Sequence, residues 1–97
     1  MSERIENLRT GIETMHKCRA VHERSVPVLE MFGSKTLWEG VVESFALLGH
    51  PKATRCYAWS YHDGKEMRYV NALEIPPVIS PETAVRASIV VESKKKG

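Results

Sequence analysis

The chain has 97 residues, 42% of them hydrophobic and 27% charged; that suits one compact domain, leaves no room for two, and argues against disorder. Formal net charge is +2, but Lys94, Lys95 and Lys96 supply +3, so the rest of the chain carries about −1. The positive balance therefore describes a basic tail, 94–97, and gives no charge argument for nucleic-acid binding by the body of the domain.

Residues 1–14 place Ile5, Leu8 and Ile12 at helical spacing behind Ser2, a candidate N-cap, with Gly11 interrupting the pattern. This predicts a short, weakly amphipathic helix or an arm. The same stretch is charged and lacks the apolar core of a signal peptide. No apolar run approaches the roughly 20 residues of a spanning helix. The expectation is a cytoplasmic chain, not bound to membrane, with Cys18 and Cys56 as free thiols.

From Met15 the residues alternate, and the extended pattern continues through Val26-Pro27-Val28-Leu29-Glu30-Met31-Phe32. Pro27 lacks an amide donor, which suits an edge strand or a break between strands. Gly33-Ser34-Lys35 reads as a turn. Residues 36–48 fit two patterns. As a strand they are apolar on both sides. As a helix they carry a Leu37, Val41, Phe45, Leu48 stripe, a Thr36–Glu39 capping box and a Gly49/Pro51 stop. Gly40 in mid-segment weakens the helix by about 1 kcal/mol, and the short glycine-containing loop favours a hairpin of 25–32 with 36–47.

After the loop at 49–53, Arg55 to Tyr61 alternates strictly and Arg68 to Ile75 reads as its return strand. Asp63-Gly64 is the expected type I′ turn. It would set Tyr61 opposite Glu66, Trp59 opposite Arg68 and Tyr57 opposite Val70. Ser80-Pro81-Glu82-Thr83 opens a helix expected over 81–93, with a serine N-cap, proline at the first position and an acid in the first turn. The predicted fold is α+β: an antiparallel sheet of three to four strands packed by a C-terminal helix, with a short N-terminal helix or arm.

Alternation puts Arg55, Tyr57, Trp59, Tyr61 and Arg68 on one hairpin face and Cys56, Ala58 and Ser60 on the other. Small residues let a helix approach closely, so the C-terminal helix is expected on the Cys56 side, leaving the aromatic and arginine face as a binding surface. The competing reading is that the helix covers the aromatics as core, with Arg68 lying over Trp59.

Chemistry is harder to nominate. His16, Cys18 and His22 have an H-x-C-x3-H spacing that matches no common metal site. Asp63 is the lone aspartate and falls in a turn, so no catalytic triad is proposed. Glu39 and Glu43 read as a solvated edge. Gly33, Gly40, Gly49 and Gly64 are too dispersed to cradle a phosphate. No cofactor, metal ligand or catalytic residue is nominated.

The stretch from Gly49 to Tyr61 (GHPKATRCYAWSY), and the close from Ile75 to Val90 (IPPVISPETAVRASIV), resemble small uncharacterised bacterial proteins of the kind carried on mobile, integron-type gene cassettes. That resemblance implies no activity or site. The expected function is a non-enzymatic interaction protein, a homodimer or a binder of a protein or small ligand, using Arg55, Tyr57, Trp59, Tyr61 and Arg68. Two alternatives are a single-stranded nucleic-acid binder stacking bases on those aromatics and a small-molecule enzyme using loop residue His50.

Overall fold

A computed structural model describes residues 2–96, with side chains through Val91. The side chains of the expected basic tail, and its last residue, lie outside the described residues. The order is α1 (Glu3–His16), β1 (Arg19–Phe32), β2 (Lys35–Leu48), β3 (Arg55–Asp63), β4 (Glu66–Leu73) and α2 (Pro81–Lys96). The strands form one antiparallel sheet in the order β1-β2-β3-β4.

Both helix starts follow their sequence signals. The Ser2 hydroxyl accepts from the Ile5 amide, and α1 stops at Lys17 in the left-handed conformation (φ 52°). At α2 the Ser80 hydroxyl accepts from the Thr83 amide at 3.2 Å, while the Thr83 hydroxyl accepts from the Ser80 amide at 2.9 Å. Such reciprocal bonds satisfy amides a helix cannot satisfy itself.

Residues 36–48 are strand, which resolves that ambiguity for the hairpin, and the hairpin is longer than expected. Its apolar residues lie on both faces because each face meets a different helix. Phe45 and Leu47 join Leu8, Ile12, Ala20, Ala53, Cys56 and Ala58 in a core beneath α1. Val42 joins Val28, Tyr57, Trp59, Ala84 and Val85 in a second core beneath α2.

That division corrects the expected position of the C-terminal helix. The small side chains Cys56 and Ala58 do admit a helix, but the helix is α1. The aromatic face is left for α2, which meets bulky Tyr57 and Trp59 with its own small residues Ala84 and Val85. Small-against-large packing operates on both faces.

The β3–β4 register also differs from expectation: Tyr61 pairs with Arg68, Trp59 with Val70 and Tyr57 with Ala72. The loop is Gly64-Lys65, flanked by Asp63 and Glu66. Only Gly64 has positive φ (66°), the pattern of a II′ turn with glycine first. A slip of two residues leaves every side chain on its expected face.

The two hairpins are joined only at their bases. β2 and β3 pair from Ala46↔Arg55 to Glu43↔Ala58 and no further. Above that point the β1–β2 hairpin projects as a separate arm, and the chain measures 40 × 31 × 24 Å.

Candidate functional site

The five residues singled out in the sequence do not form one surface. Tyr57 and Trp59 are each 2% exposed in a single protomer. Trp59 meets Trp38 edge to face, ring centroids 5.8 Å apart. Arg55 is tied to Glu23 at 2.8 Å and to Glu74 at 3.4 Å. The Tyr57 hydroxyl donates to Glu74; burial, then that carboxylate, pushes the phenol up to about 12. Tyr61 and Arg68 lie in the exposed outer part of the β3–β4 hairpin, where Arg68 pairs with Glu66 at 2.9 Å and with Asp63 at 3.5 Å.

His16 and His50 meet edge to face, ring centroids 5.9 Å apart, while His22 lies edge to face against Phe45 at 5.4 Å. His50 Nδ1 accepts from the amides of Lys52 and Ala53, both at 3.0 Å, and so pins its own loop. His16 Nε2 lies 2.8 Å from Asn71 Oδ1, and His22 Nε2 lies 2.8 Å from Glu43 Oε1. His16 and His22 thus bond to opposite sides of the sheet order, β4 and β2. No cluster of three or more metal-ligating side chains occurs among the described residues.

The carboxylate read as a solvated edge is instead the most buried charge. Glu43 is 2% exposed and receives Arg4 Nη1 at 2.6 Å, His22 and the Ser25 hydroxyl. Burial drives its carboxyl up, but the hydrogen bonds from Ser25, Arg4 and His22, with the charge of Arg4, outweigh that and hold it below the ordinary value. The Ser25 proton goes to Glu43 and not to His22, so the group lacks the serine–histidine relay of nucleophilic catalysis.

Arg4 explains where the two hairpins part. Continuing the β2–β3 register would set Val41 opposite Ser60. The Arg4 guanidinium bonds both, to Val41 O at 3.1 Å and Ser60 Oγ at 3.0 Å. A side chain from α1 therefore occupies the place of the next strand pair. The sequence signal was parity: Glu43 shares a strand face with Phe45 and Leu47, so a buried Phe45 implies an inward Glu43 needing a cation.

Comparison with protein-family models, with curated proteins and with solved structures finds no match. The site must be read from the chain alone.

What remains uncovered is the arm. α1 covers its base and α2 one side of its middle, where Arg86 also pairs with Glu30. On the side facing α1, Pro27, Leu29, Glu39 and Val41 border a shallow open groove. Leu29 is 52% exposed, and Phe32 at the tip is 76% exposed; Met31, Leu37 and Val41 are exposed as well. Among the described residues no helix is long and apolar enough to cross a membrane.

Proposed function

We propose that the protein is a non-enzymatic interaction module whose working surface is the α1-side face of the β1–β2 arm. The observation that carries this is the group of exposed large apolar side chains Leu29, Met31 and Val41 on that face, with Phe32 and Leu37 exposed at the tip of the same hairpin. Scattered exposed apolar residues are ordinary, whereas a contiguous patch rimmed by polar groups marks a contact surface. The polar groups here are Glu39, across from Leu29, and Ser25 with Arg4 at the base of the face.

The partner meets the face and not the edge. β1 is an edge strand, but a bulge at Glu23 and the proline at 27 interrupt its outer ladder. Both features block edge-to-edge pairing. Of the three aromatics expected to stack bases, Tyr57 and Trp59 lie under α2 and Tyr61 alone is exposed, which weakens the nucleic-acid reading. His50, which the enzyme reading needed, serves its loop.

A photo-reactive residue placed at 29 in living cells tests the proposal. It is expected to give one discrete adduct that disappears in the Val41→Asp background, while the same residue at 65, on the β3–β4 turn, gives none. Absence of any adduct at 29, or equal labelling from 65, overturns the reading.

A further inference from the structure

The proposed surface has a preferred occupant, and its charge pattern decides it. A compact monomer of 11.0 kDa has an accessible surface of about 5,600 Å² by the usual size scaling. This chain exposes 6600 Å². The excess, about 1,000 Å², belongs to the whole chain and is consistent with an arm that stands away from the body. The radius of gyration agrees: 13.4 Å against about 12.5 Å for 97 residues folded compactly.

The charge pattern of the face is self-complementary. Along the strands on the α1 side the cross-strand pairs run Ser25↔Glu43, Pro27↔Val41 and Leu29↔Glu39. Arg4, partly exposed and bonded to the Val41 carbonyl, marks one end. Glu39 stands directly across from Leu29, is exposed, and forms no ion pair among the described residues. The centre is apolar. A two-fold axis between the faces, near the level of Val28 and Gly40, lays Leu29 of each copy over Pro27 of the other. The same operation lays Glu39 of each copy over Val41 of the other, whose carbonyl is bonded by Arg4 at 3.1 Å, so that the carboxylate meets that guanidinium. Contacts that repeat in both directions are what a closed dimer requires.

Resting on the interaction-surface reading above, we infer that the arm binds a second copy of this chain face to face, Leu29 and Val41 at the centre and Glu39 paired with Arg4 of the other copy. The arms interlock antiparallel, and each arm extends past the first turn of the other copy's α1. Light scattering on the purified full chain across a concentration series tests this.

Wild type is expected at twice 11.0 kDa at about 100 μM, above the micromolar dissociation constants usual for such contacts. Leu29→Arg is expected at the monomer mass with an unchanged circular dichroism spectrum. Glu39→Arg is expected to weaken association about tenfold, more at low salt than at high. A monomeric wild type, or a dimeric Leu29→Arg, overturns the second-copy assignment. A monomeric Leu29→Arg beside an unaffected Glu39→Arg overturns the Arg4 register. Should wild type be monomeric while the residue-29 adduct in cells has some other mass, the surface stands and only its occupant is wrong; no adduct and no dimer removes both.

Discussion

Trp59→Ala measures directly which helix owns the aromatic face. The indole is 2% exposed, and a buried aromatic removes about 150–250 Å² from water. At about 25 cal/mol per Å² that amounts to about 4–6 kcal/mol, an upper bound because unfolded chains already bury some surface. Buried tryptophan truncations cost about 3–5 kcal/mol, so the expected loss is about 4. For a urea slope near 2 kcal/mol per molar, the midpoint falls by about 2 M. Trp38 remains as the fluorescent reporter, and its own emission should change because it loses its edge-to-face neighbour. Tyr61→Ala, on the exposed end of the same strand face, should stay within about 0.5 kcal/mol of wild type. A Trp59→Ala midpoint shift under about 0.3 M would place that face in solvent and refute the placement of α2.

Three further outcomes are expected. Because the folded Glu43 carboxyl lies below its unfolded value, its contribution is present above about pH 4.5 and is lost as pH falls through the folded value; Glu43→Gln should cost about 2 kcal/mol at neutral pH and flatten the acid limb of stability against pH. An unchanged acid limb in that variant would assign acid sensitivity elsewhere. Burial pushes the Cys56 thiol up to about 12, so a thiol reagent at neutral pH should modify Cys18 alone in the folded protein and both cysteines in denaturant; rapid native labelling of Cys56 contradicts the α1 core. A methyl group at Gly40 would sit 2.9 Å from Cη2 of Trp38, so Gly40→Ala should cost about 2 kcal/mol by overpacking and alter tryptophan emission, whereas unchanged emission would mean the ring lies elsewhere.

The local elements were legible because their signals are local. Caps at Ser2 and Ser80, alternation in 55–61 and the glycine turns all act over a few residues. The helix-to-face assignment was not legible, since both sheet faces offer workable packing: Cys56 and Ala58 suit a large helix face, and Tyr57 and Trp59 suit a small one. The turn was ambiguous for the same reason, because Asp63-Gly64 and Gly64-Lys65 are both good two-residue loops. Tertiary packing decides it. With α2 over Trp59, the first register would seat Arg68 beside the indole and bury a guanidinium, at high cost. The observed register gives Trp59 the apolar neighbour Val70 and sends Arg68 outward opposite Tyr61. Glu43 escaped notice because its cation, Arg4, lies 39 residues away and no short pattern links them.

The exposed arm follows from a mismatch of lengths. Strands of 14 residues would run about 46 Å if straight, at 3.3 Å per residue; with two register shifts they fit within the 40 Å length of the chain. Helices of 14 and 16 residues reach only about 21 and 24 Å. Each helix therefore shields about half of the β1–β2 hairpin, on opposite faces and at different heights. Two areas are left bare, and the chain treats them differently. The bare area at the base, on the α2 side, carries the Glu23–Arg55–Glu74 ion pairs beside Ser44 together with exposed Val21 and Leu48. The bare area on the arm carries Leu29, Met31 and Val41, with Glu39, exposed and in no ion pair among the described residues, beside them. Geometry alone accounts for two uncovered areas. Both expose apolar side chains, but among the described residues the ion-pair network stands at the base and not beside Leu29 and Met31, which is what an arm reserved for another polypeptide surface would produce.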